Sequence, residues 1–224
     1  MKRLFLLLLV LGITMSLFAQ SIPRSQFQFA AGNWSWSGNR LVQNDANAHL
    51  AKVNMLSLPQ NGVMRYQFNM RHEGGLEDGH GGVGIHIFMD TAYNGESWGA
   101  GNSYLLWLNY DETPSVAGGA QFGLTGQVYK STSDSQMNLL FQQSFNEFVP
   151  QLVQVGFMNN DVPVNMMVNG DTGEVRLYDP TNPNGDFYFY FYLGDIDRQI
   201  SLPLRGNNVA LRTNGMRVSF GEGF

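Results

Sequence analysis

Two groups of residues in this 224-residue chain have types and spacings that could do chemistry, and the first is acidic. Carboxylates gather in "EGGLED" (Glu73, Glu77, Asp78), in "DE" (Asp111, Glu112) and in "DID" (Asp195, Asp197). Retaining hydrolysis of a glycosidic bond needs two carboxyl groups ~5 Å apart, one an acid and one a nucleophile. Only Asp195 and Asp197 share the parity of a strand; the others sit in or beside turn-rich stretches, where solvated Asp and Glu are ordinary. A carboxylate-based active site is therefore not expected. "GHGGVG", residues 79–84, satisfies G-x-G-x-x-G, but "IHIFMD" follows with the alternation of a strand, so no helix start is present to cradle a phosphate. These glycines are expected to form a flexible loop. Around them His72, Glu73, Glu77, Asp78 and His80 lack the paired spacing of a zinc site; oxygen donors suit calcium better, and no cofactor is otherwise implied.

The second group is neutral and aromatic. Asn69, Arg71, His86, Trp107 and Asn109 occupy the polar positions of alternating segments, and Trp98 lies in "GESWGAGNSY", whose small residues leave room for a ligand. An indole stacks on the apolar face of a pyranose while Asn, Arg and His hydrogen-bond its hydroxyls, so the mixture suits a neutral glycan. The same inventory furnishes a well-satisfied sheet surface, and a strand tryptophan is often half buried, so packing is the competing account of Trp107 and His86. In "DFYFYFYLGD" alternation puts Phe187, Phe189 and Phe191 on one face and Tyr188, Tyr190 and Tyr192 on the other. The tyrosine row is either a ligand platform or the inside of a second packed layer. Its unbroken aromatic alternation favours the packed layer.

The elements that must position these groups are strands. "VMRYQFNMR" sets Met64, Tyr66, Phe68 and Met70 against Arg65, Gln67, Asn69 and Arg71; "GIHIFMD" sets Ile85, Ile87 and Met89 against His86 and Phe88. About a dozen such period-two segments follow one another, separated by turn signals such as "NGD", "NPNGD" and "TNG". Only residues 142–149 have a faint helical pattern. Twenty-six glycines spread along the chain supply the turns. So many strands in about 200 residues must close into a barrel or stack as two sheets, and aromatics on the polar faces favour two sheets. Charged residues make up 14% of the chain and the net charge is −5, which argues against a nucleic-acid or polybasic membrane surface.

At the N-terminus, "MKRLFLLLLVLGITMSLFAQ" reads as a basic n-region, an apolar h-region and a cleavage site after Ala19. The expected organisation is a signal peptide over 1–19 and one domain over 20–224, with no membrane anchor after cleavage. The chain contains no cysteine, which suits a periplasmic or secreted bacterial protein better than a disulfide-bonded animal module.

The closing stretch "FYFYFYLGDIDRQISLPLRGNNVALRTNGMRVSFGEGF", with "VGIHIFMD" and "GESWGAGNSYLLWLNYD" in the middle, resembles the laminin-G-like and concanavalin A-like lectin/glucanase superfamily over most of residues 27–224. The resemblance implies an all-β, two-sheet antiparallel jelly-roll sandwich. It also implies a choice of functions, because the superfamily includes lectins, glycan-cleaving enzymes and protein-binding modules. Its glucanases carry an E-x-D-x-E pattern on one strand, which this chain lacks, and no residues match the loop-edge calcium sites of laminin-G-like relatives. The expected function is an exported, non-catalytic binding module for a glycan, with Asn69, Arg71, His86, Trp98, Trp107 and Asn109 as ligand-binding residues. The alternatives are a structural or assembly protein of the cell envelope that binds another protein, and a divergent glycan hydrolase. From the leader pattern, mature protein starting near Gln20 is expected in the periplasm or medium. N-terminal sequencing of the expressed protein checks this, and an intact Met1 terminus on cytoplasmic protein would contradict it.

Overall fold

The computed structural model describes residues 21–75, 80–111, 123–144, 160–178 and 187–221. The leader and its cleavage point lie outside the described residues, as do Glu77, Asp78, Glu112 and residues 145–149. In chain order the strands are β1 (Phe27–Ala31), β2 (Trp34–Ser37), β3 (Arg40–Gln43), β4 (Ala51–Met55), β5 (Val63–Gly75), β6 (His80–Met89) and β7 (Ser103–Asp111). They continue as β8 (Gly123–Ser133), β9 (Gln136–Ser144), β10 (Val162–Asn169), β11 (Glu174–Tyr178), β12 (Phe187–Tyr192), β13 (Asn208–Asn214) and β14 (Met216–Gly221). A 3-10 turn, Arg24–Gln26, precedes β1, and the short helix α1, Leu193–Ile196, follows β12. Among the described residues no helix is long and apolar enough to cross a membrane.

The strands form two antiparallel seven-stranded sheets, as the alternation requires. The first runs β1-β4-β13-β6-β7-β8-β9 and the second β12-β11-β10-β5-β14-β3-β2. Period two turns Tyr66, Phe68 and Met70 of β5 and Val83, Ile85 and Ile87 of β6 into the space between the sheets. There Phe220 stacks with Trp34 at 6.2 Å between ring centres and meets Phe68 edge-on at 5.9 Å. Near β9 and β12, Phe141 of the first sheet lies 6.2 Å from Phe189 and 6.3 Å from Phe191 of the second.

The alternation of β6 breaks at its end. Phe88 adopts a positive φ of 55° where the β13 register slips between Asn208 and Ala210, so two β6 residues stand opposite one on β13. Such a bulge re-aims every side chain beyond it. Phe88, expected on the polar face, joins the inter-sheet core, while Met89, expected inside, packs on the outer face with Tyr93, Ala100 and Ala210. Gln60 supports the bulge. Its Oε1 accepts from the Phe88 N–H at 2.6 Å and from the Tyr66 hydroxyl at 3.0 Å, while its Nε2 donates to Asn208 O at 2.8 Å.

The tyrosine row differs from the expectation of a packed layer. Tyr190 and Tyr192 are 45% and 36% exposed on the outer side of the second sheet, their rings edge-on at 5.5 Å, while Phe189 and Phe191 face inward. A sandwich has only one interior, so one face of edge strand β12 must remain outside. The Tyr188 side chain lies outside the described residues.

The acidic pair also separates. Asp195 is exposed on α1, whereas Asp197 is buried and accepts from Tyr104 Oη and Lys130 Nζ, each at 2.6 Å. Burial opposes ionisation of Asp197, but hydrogen bonds from Lys130, Tyr104 and the Gln199 N–H outweigh it and hold its carboxyl below the usual range.

Changing Tyr190 and Tyr192 together to Ser is expected to shift stability by no more than about 1 kcal/mol, since both rings are solvated. Phe220→Ala should cost about 3–5 kcal/mol. Thermal melts compare the two directly, and a double tyrosine variant that melts as early as Phe220→Ala would contradict this arrangement.

Candidate functional site

The outer face of the first sheet carries a row of side chains running straight across its strands. Cross-strand pairing places Lys52, Arg212, Gly84, Trp107, Gln127 and Gln142 side by side on β4, β13, β6, β7, β8 and β9. Two residues along, a parallel row contains Asn54, Ala210, His86, Leu105 and Tyr129.

Trp107 defines the floor of this face. Its indole occupies the space that side chains at two β6 glycines would fill: a Cβ on Gly82 would stand 2.1 Å from the ring, and one on Gly84 2.8 Å. The "GHGGVG" glycines, expected in a loop, are instead strand residues from Gly81 onward that let a flat ring lie against bare backbone. The half-buried indole donates through Nε1 to Asn109 Oδ1 at 3.2 Å. Beside it the Gln127 amide donates to Gln142 Oε1 at 3.3 Å and accepts from the Tyr129 hydroxyl at 2.9 Å.

Residues 90–102 cover the other half of the face and bring Trp98 to it. Two buried cations reach up from the sheet to consecutive carbonyls of this loop: Lys52 Nζ donates to Ser97 O, and Arg212 Nη1 donates to Trp98 O at 2.7 Å. The Arg212 guanidinium centre lies 4.6 Å from the Trp98 ring centre and 5.7 Å from that of Trp107, so one cation joins both indoles. Trp98 itself is 46% exposed. Further along, Asn54 bonds both the N–H and the C=O of Tyr93 (2.9 and 3.0 Å), and the Ala100 N–H donates to Ser131 Oγ at 2.8 Å.

Of the residues expected to bind ligand, Trp98, Trp107 and Asn109 are brought together here. His86 shares the face but is fully buried beneath the loop, hydrogen-bonded by its Nδ1 to Ser103 Oγ at 3.0 Å and by its Nε2 to the Tyr93 hydroxyl. Burial first, then the charges of Arg212 and Lys52, push its pKa well below the ordinary value, so the ring is a neutral support for the loop. Asn69 and Arg71 do not belong to this surface. They point outward from β5 of the second sheet, on the opposite side of the sandwich. Arg71 pairs there with Glu73 at 2.8 Å. The expectation of one surface uniting all six residues is corrected by this division, because strand parity relates a residue to its own strand and not to a particular sheet.

Lys52, Arg212, Gln127, Tyr129 and Gln142 join this face without any local mark in the sequence. The parity of "NVALRT" sets Arg212 against Val209 and Leu211, but nothing local shows that two indoles will enclose it. Among the described residues no cluster of three or more His, Asp or Glu is arranged to hold a metal ion. His72 is turned inward and buried.

No family model matches the chain, and no curated protein matches it in sequence. Solved structures do share its fold. The carbohydrate-binding module CBM66 from Bacillus subtilis aligns with a TM-score of 0.52 at 12% identity, over 88% of this chain and 92% of that one. The potassium-bound Emp46p carbohydrate recognition domain aligns at 0.52 and 10% identity, over 88% and 86%. The legume lectin-like domain from Entamoeba histolytica aligns at 0.50 and 9% identity, over 88% and 87%. The chain thus shares with these domains the fold of a sandwich of two antiparallel sheets.

Lys52 gives the loop anchor a pH signature. Burial, reinforced by the charge of Arg212, lowers its pKa from 10.5 to about 7, with Glu96 and Asp134 acting the other way. Between pH 7 and about 10 the unfolded chain holds a proton on this lysine that the folded chain has released, so its contribution to stability rises with pH. From pH 7 to pH 9 the gain is up to about 2 kcal/mol. Denaturant midpoints should therefore rise more steeply with pH in wild type than in Lys52→Met, and parallel profiles would contradict the assignment.

Proposed function

We propose that this chain is an exported binding module that holds a neutral glycan on the outer face of its first sheet and does not cleave it. The observation that carries this reading is the pair of indoles joined by Arg212. Trp98 is exposed, Trp107 lies flat on its glycine floor, and the amides of Asn109, Gln127 and Gln142 border the rings. Flat rings beside uncharged donors and acceptors match a pyranose, whose C–H face stacks and whose hydroxyls seek hydrogen bonds. The folds of a carbohydrate-binding module and of a carbohydrate recognition domain lend this support.

Binding without cleavage is supported by the arrangement of Asp195 and Asp197. The buried Asp197 is engaged by Lys130 and Tyr104, while Asp195 lies exposed on α1, so the pair does not have the shared setting that two catalytic carboxylates need. Export to a bacterial periplasm or exterior, with one domain over 20–224, is supported by the leader pattern and the absence of cysteine. A second reading, contact with another cell-envelope protein, draws on the exposed Tyr190 and Tyr192, since tyrosine is enriched at protein interfaces.

Affinity electrophoresis against a panel of neutral polysaccharides tests the glycan reading. Trp98→Ala and Trp107→Ala are each expected to weaken retention by roughly tenfold, the loss of one ring stack of about 1–1.5 kcal/mol. No reducing ends should be released from retained polymers. Undiminished retention of both variants would overturn the proposed face, and steady release of sugars abolished by Asp195→Asn or Asp197→Asn would restore the hydrolase.

A further inference from the structure

The opposite side of the sandwich has different chemistry. Three adjacent strands of the second sheet, β3, β14 and β5, contribute Arg40, Arg217 and Arg71 to one surface depression of about 360 Å³. No aromatic side chain lines it. Its other polar walls include Glu73, Asn44 and Ser37, and Asp161 stands nearby, bonded to Arg40 at 2.8 Å. Three guanidiniums therefore face one carboxylate in the lining and a second beside it, in a chain whose net charge is −5.

The bonding within the depression keeps these cations apart and oriented. Glu73 accepts from Arg71 Nε at 2.8 Å and from the Ser219 hydroxyl, while Arg40 Nε donates to Ser219 Oγ at 2.8 Å. Arg71 uses its inner nitrogen for Glu73, which leaves the outer end of its guanidinium fork directed away from that bond. Arg217 is exposed and forms no ion pair with a described residue. Its guanidinium lies over the bare backbone of Gly74, where a Cβ would stand 2.5 Å from Nη2. Arg40 is engaged by Ser219 and Asp161, so the outer end of Arg71 and the guanidinium of Arg217 are the groups that can meet a ligand, and a planar fork matches the paired oxygens of a carboxylate or sulfate far better than it matches a hydroxyl. Beyond the depression the same face continues with Arg65, stacked 5.0 Å from the Tyr178 ring centre, and with Arg176, which Glu174 already engages at 2.6 Å. Arg65 thus extends the cationic surface beyond the depression, toward a second charge of a repeating anionic chain.

We propose that the Arg40–Arg71–Arg217 depression is a second binding site, separate from the tryptophan face, for the carboxylate or sulfate groups of an acidic polysaccharide. The overall negative charge of the chain repels polyanions, so retention of one must come from a local cationic surface, and this depression supplies it.

Affinity electrophoresis in polygalacturonate (carboxylate) and in dextran sulfate (sulfate) tests the site on the full-length mature chain, with inorganic sulfate as a free-anion competitor. Wild type should be retarded by at least one polymer at low salt, with retention falling as salt rises. Arg71→Gln/Arg217→Gln should weaken that retention at least about tenfold. Arg217→Glu, a change at an exposed position that spares the Arg71–Glu73 pair, should weaken it as well while the melting temperature stays close to wild type. Trp98→Ala should leave polyanion retention intact even where it removes neutral-glycan binding, so failure of this site and failure of the tryptophan face are told apart. No retention by either polymer, retention unchanged in both arginine variants, retention abolished by Trp98→Ala, or binding of inorganic sulfate without polymer retention would each overturn the proposal.

Discussion

The indole of Trp107 lying against Gly82 and Gly84 is the contact on which the rest of the tryptophan face depends. A glycine within a strand loses more backbone freedom on folding than any other residue and brings no side chain to pack, so two of them in β6 weaken that strand by themselves. The ring offsets this by covering the bare backbone with a large apolar surface. It also sets the height of everything around it. With the indole flat on the sheet, the guanidinium of Arg212 can stand beside it, and Trp98 can close over that guanidinium from the loop. A side chain at position 82 would meet the ring at 2.1 Å, tilting it upward and displacing Arg212 from both indoles.

The way the loop is fastened follows from that geometry. Surface loops are commonly held by side chains of their own, yet residues 97 and 98 are held by cations rising from the sheet below. A buried cation is costly unless its protons find acceptors. Here the carbonyls of Ser97 and Trp98 accept from Lys52 Nζ and Arg212 Nη1, Arg212 Nε keeps no hydrogen-bond partner among the described residues, and the faces of Tyr93, Trp98 and Trp107 supply the negative end of a quadrupole. The cations are consumed in the architecture, so what remains toward solvent is rings and amides. The loop is also fixed before any ligand arrives. An aromatic whose backbone carbonyl is already bonded loses less freedom on binding, and affinity improves accordingly.

How much of this was legible in the sequence depended on the range of the interaction. Alternation is a local property, so the two-sheet sandwich, the inward Phe189 and Phe191 and the outward Trp107 and Asn109 could all be read from their own strands. Which sheet a strand joins is decided by pairing across the whole chain. Asn69 and Trp107 therefore looked equivalent although they face opposite sides. The bulge at Phe88 was invisible for a related reason: it depends on Gln60 and on the slip against β13, both remote in sequence. For Tyr190 and Tyr192, aromatic alternation suggested cover on both faces, whereas β12 is an edge strand with a core on one side only. The glycine run misled because its purpose lies 25 residues further on, in a ring that needs a flat place to rest.

The two outer faces end with opposite chemistry although one short chain builds both. On the first sheet Lys52 and Arg212 are buried and bonded to carbonyls; on the second, Arg71 and Arg217 reach solvent. Sheets in a sandwich pack about 10 Å apart, and the side chains on both outer faces add to that separation. A single sugar unit cannot touch both surfaces. Ligands held at the tryptophan face and at the arginine depression would therefore be different chains, or distant parts of one chain, and neither would displace the other. Their electrostatics differ as well, because a stacked neutral sugar is nearly indifferent to salt whereas an anion on exposed guanidiniums is screened by it. Ionic strength alone would then shift the chain from holding both kinds of polymer to holding only the neutral one.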